Sequence, residues 1–514
     1  MGLLIGIDVG TSGTKVIACA ESGEVLASAA APHEIMQPRA GWSEQSPEGW
    51  WEATTRALRE MCAGEAVRGK AISAVGLSGQ MHGSVFLGRE ALEAPESAPA
   101  LRPALLWNDQ RTAAQCAAIE EAVGGRLALV RRVGNAALTG FTAPKILWLR
   151  EHEPETFARV GAVCLPKDYI RLRLTGELAT DVGDASGTLL FDPAARAWRR
   201  DVLDALGLDA RLLPRALESA AVAGRVSARG AAQSGLPEGM PVAAGSGDNM
   251  TSALGCGVVG PGQVAAVLGT SGVVICHTDR PRVDDEGPTP GRMHTLCAAD
   301  GTSERAGGWL LTGCTLSAAG CVQWLREALF PERSYEELMA EAAGAPPGSA
   351  GLVFLPYLTG ERCPHPDPTA RGAFVGLTSR HGRGHVVRAV IEGACFTMAQ
   401  ILGIMRSLGV APPSIRVTGG AARSPRWRQI LADCTGCAVV TTNAEEGPAY
   451  GAAALAAVGA GAYESVADVC RAWIIERERT GVSSSAGRYA DPMRVHESLY
   501  GDLRERFAQL HAME

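Results

Sequence analysis

The tetrapeptide GTSG occurs twice in this chain, at residues 10–13 and again at residues 269–272. LLIGIDV and TKVIACA flank the first copy, and VAAVL and VVICH flank the second. Apolar runs on both sides of a short glycine-bracketed turn predict a β-hairpin, and residues 3–30 as a whole predict an antiparallel meander. The separation is too long for a solenoid repeat, so the economical expectation is two lobes built on one plan. Between and after the two copies, helical and extended segments alternate. TAPKILWLREHEPE predicts a helix with Pro144 in its first turn, and AISAVGLSG a strand. SIRVTGG and AVVTT predict strands, while SPRWRQILADCTG, ending at Gly436, and GPAYGAAALAAV predict helices. We expect lobes at residues 1–244 and 245–514, meeting near PVAAGSGDN at a cleft, with surface loops at EAPESAPALRP, RPRVDDEGPTPG, GAPPGSAG and TGVSSSAGR.

With 514 residues, 46% of them apolar and 20% charged, the chain can bury a large core. A net charge of -7 argues against binding a polyanion, so a small molecule is the expected partner rather than nucleic acid. MGLLIGIDVG has no basic region ahead of its apolar run, and GPAYGAAALAAVGAGAY is shorter than a membrane span; no membrane association is expected. Fourteen cysteines lie scattered in apolar segments, the pattern of reduced thiols in the cytoplasm. The pair Cys434 and Cys437 has the spacing of half a metal site but lacks a second half, and an ordinary helix end is the preferred reading.

A glycine-flanked turn lets backbone N–H groups approach an anion, with Thr and Ser hydroxyls as further donors. Each copy alone also fits a plain hairpin turn; two copies in matching places suggest that Thr11, Ser12 and Gly13, with Gly269, Thr270, Ser271 and Gly272, grip one polyphosphate. No Walker-type phosphate loop is present. Asp8 precedes only the first copy, where the second has Val267. A lone carboxylate there suits a magnesium ion, which keeps several waters and takes one or two protein oxygens; capping of its own turn is the alternative. Asp248, in GSGDNM after an apolar strand, suits the base for an alcohol in phosphoryl transfer, or equally an Asx turn. Gly419 and Gly420 follow a strand and open a helix, a place for nucleotide backbone contact.

On these residues the chain resembles the FGGY family of carbohydrate kinases over nearly its whole length. GFTAPKILWLREH at residues 140–152 and GAFVGLTSRHGRGHVVRAVIE at residues 372–392 look like its two signature segments. GWSEQSPEGWW, GQMHG, LLWNDQR, LPKDYIRLRLTGE, GSGDN and FLPYLTGERCPH resemble the branch acting on D-xylulose. The resemblance implies an α/β, two-lobed actin/Hsp70/sugar-kinase fold, ribonuclease H-like, with an ATP cleft between the lobes. It implies phosphorylation of D-xylulose to D-xylulose 5-phosphate with ATP and Mg2+, Asp8 on the metal side and Asp248 as catalytic base. Lys15 would join the first turn at the phosphates. Met81, His82, Asp248 and Asn249 would contact the sugar, with Gln80, Trp107 and Asp109 nearby. Gly419, Gly420, Ala421 and Ser424 would meet ATP, although many relatives have a third glycine where this chain has Ala421. A homodimer is a further expectation. His82 in isolation reads as a core histidine, and Trp42 and Trp107 as packing residues. The competing expectations are a family member acting on another ketose or polyol (ribulose, gluconate or glycerol), an actin- or Hsp70-like conformational ATPase, and a catalytically silent sugar sensor.

Overall fold

The computed structural model describes residues 2–97, 99–287, 289–444 and 446–513. Ala98 and Pro288, within two of the predicted loops, lie outside the described residues. The chain forms two compact units: Met1–Pro261, His277–Leu310 and Glu446–Ile475 make the first, and Gly262–Cys276, Leu311–Glu445 and Glu476–Glu514 the second. These units interleave along the chain instead of dividing at the single expected boundary after residue 244.

The first unit is organised by a sheet in which Leu3–Val9 is central. It pairs antiparallel with Gly13–Cys19, which pairs with Val25–Pro32, and this is the expected meander. On its other side Leu3–Val9 runs parallel to Ile72–Gly79, beyond which lie Pro241–Ala243 and Val222–Arg225. LLIGIDV is almost continuously apolar because helices cover both faces of a parallel core. One cover is Pro47–Ala63, started by Pro47 and capped by Ser46, whose side chain accepts from Gly49 N at 3.2 Å. It buries Trp50, Ala53, Ala57 and Leu58, and each large side chain contributes about 2–3 kcal/mol. The other is Pro448–Gly459, packed on Leu3–Val9 and Ile72–Gly79. Its small residues have a steric cause. A Cβ on Gly6 would stand 2.0 Å from Ala449 O, and one on Gly76 would stand 1.8 Å from Ala452 O. Backbone of the helix rests directly on backbone of the sheet. Gly451 does the same for the Asp248–Gly255 helix, where a Cβ would meet Thr251 O at 2.0 Å. That close approach holds Asp248 in the first unit.

The second unit repeats the plan. Val264–Leu268 pairs antiparallel with Gly272–Thr278 and parallel with Ser414–Thr418, which continues parallel to Ala438–Thr442 and then antiparallel to Glu476–Thr480. The two GTSG copies nevertheless close differently. Val9 opposes Thr14 across the first turn, but Leu268 opposes Gly272 across the second, a register one residue tighter. Because strand side chains alternate faces, the positions after the two turns point to opposite faces relative to those before them. Arg383–Ser407 is the one described helix long and apolar enough to cross a membrane, and 83% of its apolar window is buried inside the fold. It also buries an ion pair, Arg388 Nε to Glu392 Oε1 at 2.6 Å, with Arg388 Nη2 donating to Tyr489 OH at 2.7 Å. Pro425–Thr435 ends at Gly436 in the left-handed region, as expected for Cys434-Thr-Gly-Cys437. None of the fourteen cysteines is in a disulfide, and no group of three or more metal-ligating side chains occurs among the described residues.

Candidate active site

Asp8 stands next to last on the central strand of the first unit, where the parallel neighbour Ile72–Gly79 brings Ser78 beside it. Ser78 Oγ donates to Asp8 Oδ1 at 2.8 Å and lies 2.8 Å from Thr251 Oγ1. Burial pushes the Asp8 carboxyl up to about 6, against the Ser78 hydrogen bond and the Lys15 charge, which pull it down. Asp8 Oδ2 faces Gly10, where an added Cβ would stand 3.9 Å away. Lys15 is opposite Asp8 in the hairpin register, and its ammonium pairs with Glu446.

The turn after Asp8 is closed by Gly10 N donating to Gly13 O at 3.0 Å and is held from outside through its carbonyls. Gln45 Nε2 donates to Thr11 O at 2.7 Å, His33 N donates to Ser12 O at 2.9 Å, and His33 Nδ1 lies 3.2 Å from Gly10 O. Trp107 Nε1 donates to Thr11 Oγ1 at 2.9 Å, and Thr11 Oγ1 in turn lies 3.3 Å from Gln80 Oε1. Gln80 Nε2 donates to Gln45 Oε1 at 2.9 Å. Gln80 and Trp107 thus brace the turn, while Ser12 is exposed on it.

Asp248 reaches the same strand end by another route. Ser246–Gly247 adds a short parallel strand beside Ser78 and Gly79, and Asp248 then opens its helix. Burial and then the Asp8 charge push Asp248 up to about 7, with the Asn249 backbone N–H lowering it slightly. A carboxyl near 7 is matched to proton transfer at neutral pH. Asn249 follows, half-buried.

Met81 and His82 form the adjoining corner. Met81 is buried against Gly247, where a Cβ would stand 2.6 Å from Met81 Cγ. His82 has a φ of 65°, a left-handed conformation costly for this side chain. The surroundings over-determine it. His82 Nδ1 lies 2.7 Å from Gly187 O, its ring packs 4.4 Å from that of Phe141, and its carbonyl accepts from Lys145 Nζ at 2.8 Å and Thr142 Oγ1 at 3.3 Å. Lys145 is itself buried and also donates to Gly140 O at 2.6 Å; burial pulls its ammonium down to about 7, against the pull of Asp109 upward.

Sequence reasoning missed Lys145. A lysine in a helix usually faces water, and the only signal is its place between Pro144 and Ile146 in a run buried from Thr142 to Leu149. Asp109, expected near the sugar, is fully engaged elsewhere. Its oxygens accept from Ser43 N at 2.6 Å and from Arg111 N, Nε and Nη2, and the Arg111 guanidinium lies 3.5 Å over Trp42. Trp42 packs on Arg111 as a packing residue, whereas Trp107 hydrogen-bonds the turn at residues 10–13.

In the second unit the turn at residues 269–272 is held by the next segment. Thr270 O accepts from Ala318 N at 2.8 Å and Gly320 N at 3.2 Å, and Gly269 O from Ala319 N at 3.0 Å. Gly419 has a φ of 94°, and a Cβ there would stand 2.7 Å from Leu268 O, so only glycine brings the second strand end against the first. Beside Gly420, where an added Cβ meets nothing within 4 Å, opens a cavity of about 530 Å³ lined by Gly269, Thr270, Gly320, Gln323, Tyr335 and Ala421. Tyr335 OH accepts from Trp427 Nε1 at 3.1 Å, which fixes the ring at this wall. Ser424 ends the turn after Gly420 and precedes the Pro425–Thr435 helix.

In the first unit Asp8 and Asp248 are both pushed up by burial, and the second unit has a glycine-lined cavity of about 530 Å³. Residues 3–255 match the N-terminal domain of the FGGY family of carbohydrate kinases, and residues 264–460 match its C-terminal domain. The chain belongs to this family and is a carbohydrate kinase with the two-domain α/β sugar kinase fold. It is 38% identical over 510 residues to the xylulose kinase of Escherichia coli (strain K12), covering 99% of this chain and 98% of that one. It is 36% identical over 476 residues to the xylulose kinase of Bacillus subtilis (strain 168), covering 93% and 92%. Among solved structures, the ligand-bound xylulose kinase from Lactobacillus acidophilus is 26% identical, with a TM-score of 0.91 over 99% of this chain and 100% of that one.

Proposed function

We propose that the protein transfers the γ-phosphoryl group of ATP to the terminal C5 hydroxyl of D-xylulose, giving D-xylulose 5-phosphate and ADP. The observation that carries the mechanism is Asp248, held near 7 beside the Met81–His82 corner. O5 attacks the γ-phosphorus, its proton passes to Asp248, and the bond from the γ-phosphorus to the bridging oxygen breaks toward ADP. Met81, His82, Asp248 and Asn249 are the proposed sugar contacts. The His82 corner, clamped by Gly187 and Lys145, orients the sugar before the base acts.

The residues fit a divalent cation. The Asp8 charge opposes ionisation of Asp248, and burial disfavours the charge of both, which an ion held by Asp8 would offset. Asp8 would hold Mg2+, which supplies neutralisation of phosphate charge. The N–H groups of both GTSG turns, with Gly419, Gly420, Ala421 and Ser424, are the proposed nucleotide contacts. Lys15 already pairs with Glu446, so its approach to phosphate requires exchange of that partner. Fourteen cysteines outside any disulfide support a reducing compartment, and we place the reaction in the cytoplasm.

The test is ADP release with Mg-ATP on D-xylulose, D-ribulose, L-ribulose, L-xylulose, glycerol, gluconate and no sugar, with Asp248→Ala beside each. Turnover favouring D-xylulose and lost in Asp248→Ala is the expected result. Preference for another sugar would overturn the substrate, and unchanged turnover in the variant would overturn the base.

A further inference from the structure

Behind the sugar corner lies a fully buried cage that the reaction above does not use. Lys167 Nζ, from the Pro166–Thr175 helix, reaches Asp168 Oδ1 at 2.6 Å, Asp181 Oδ1 at 2.9 Å and Asp184 Oδ2 at 3.5 Å. Arg171 adds a second cation, with Nη2 3.1 Å from Asp168 Oδ1. Three carboxyls therefore share two cations, and they are unequally served. Asp168 takes both cations. Asp181 takes Lys167 and also accepts from Ser219 Oγ at 2.8 Å, Ser246 Oγ at 2.7 Å and Gly183 N at 2.9 Å. Asp184 is completely buried, and neither of its oxygens has a hydrogen-bond partner among the described residues.

Asp184 sits on the short Val182–Ser186 helix, which is followed at once by Gly187, the residue whose carbonyl faces His82 Nδ1. A Cβ on Gly247 would stand 3.3 Å from Asp184 Oδ1 and 2.6 Å from Met81 Cγ. The carboxyl lies directly under the step from Gly247 to Asp248.

We propose that Asp184 is a positioning residue of the sugar site that carries a proton at working pH, its uncharged carboxyl filling the space between Lys167 and Gly247 so that Asp248 is the one that ionises there. The inference rests on the assignment of Asp248 as base. An ionised carboxyl needs hydrogen-bond donors or a close cation, and Asp184 has only the ammonium that two other carboxylates hold more tightly. Burial, with the charges of Asp181, Asp168 and Asp248, holds it well above the usual carboxylate range despite Lys167. The other titratable groups on strands packed against this helix have partners other than Asp184: Arg215 faces Glu177 at 3.8 Å, and Cys297 bonds Ser186. His294 Nδ1 lies 3.0 Å from Asn135 Oδ1, Cys297 Sγ lies 3.4 Å from Pro193 O, and Asp192 pairs with Arg199 at 2.6 Å. An uncharged Asp184 leaves the Asp248 charge opposed by Asp8 alone, which a cation on Asp8 offsets.

The test has a spectroscopic and a kinetic arm. At a pH of about 8, the infrared difference spectrum between the unmodified protein and Asp184→Asn should contain the carbonyl stretch of a protonated carboxylic acid, lost in the variant. Its absence would overturn the proposal whether or not the enzyme turns over. In the kinetic arm, the ascending limb of kcat/KM against pH for the preferred sugar should keep its midpoint in Asp184→Asn, because the amide is also uncharged. A fall of the midpoint by more than about half a pH unit would mean that Asp184 is ionised beside Asp248, and would overturn the proposal. Absence of sugar phosphorylation in the unmodified protein would instead defeat the functional reading and leave the infrared result to decide the protonation.

Discussion

Ser78 donates its hydroxyl to Asp8 at 2.8 Å, across two parallel strands whose register puts the two residues side by side. Through the same oxygen Ser78 meets Thr251 of the helix that Asp248 opens. One hydroxyl thus couples the two carboxylates' supports.

Ser78→Ala removes a hydrogen bond that favours ionised Asp8, so the Asp8 carboxyl rises above its present value of about 6. The expected loss is about 1–2 kcal/mol of stability, and a larger concentration of Mg2+ for half-maximal rate, by about 3- to 10-fold near neutral pH. A magnesium titration of initial rates at fixed ATP checks this; an unchanged midpoint would separate Asp8 from the metal.

Asp248→Asn abolishes transfer and should stabilise the fold at neutral pH. The folded carboxyl is held near 7, above its ordinary value of 3.8, by burial and then by Asp8. The folded state therefore binds more protons than the unfolded one between those values, and stability falls as pH rises through the window. The amide carries no such penalty. Its Tm should exceed that of the unmodified protein by about 1–3 °C at pH 8 and converge with it near pH 4. Equal Tm values at pH 8 would mean that the Asp248 charge costs the fold nothing.

Gly187→Ala tests the histidine clamp without touching His82. Gly187 has ordinary backbone angles, so alanine is conformationally allowed, but its Cβ would stand 2.6 Å from His82 Cε1. The ring must move. The KM for the sugar should rise about 10-fold or more while the KM for ATP changes less than about 2-fold. Equal changes in both would show that the corner does not serve the sugar alone.

His496 makes the second unit sensitive to acid. It is fully buried among Phe396, Tyr357 and Gln400, and burial, then the nearby His365, pulls its ring from 6.5 down to about 3. The unfolded chain takes up a proton near 6.5 that the folded chain refuses, so this contribution is complete above 6.5 and is lost as pH falls toward 3. Denaturant midpoints between pH 7 and about 4 should decline less steeply in His496→Gln than in the unmodified protein. Parallel slopes would move the acid sensitivity to another group.

Much of this molecule was legible in its sequence because the signals are local or long and patterned. Apolar runs around GTSG dictate hairpins, Gly436 dictates a helix end, and the alternation of runs after residue 414 dictates strand, helix, strand, helix. The two signature segments sufficed for the family. Even the small residues of Pro448–Gly459 announced burial, though not that Gly6 and Gly76 would meet its backbone.

Tertiary structure decided what those signals serve. Asp8 and Asp248 are far apart in sequence, and only parallel strand pairing through Ile72–Gly79 brings them to one strand end. Asp109 looked available until Arg111 and the Ser43 amide occupied it. Lys145 looked like a solvent-facing helix residue, and Asp184 like one more polar side chain in DVGDASG. Their properties come from desolvation and from partners supplied by distant segments. Local pattern sets the strands, turns and family; burial and long-range pairing, which no local pattern encodes, select which charges share a site and which of them can exist there.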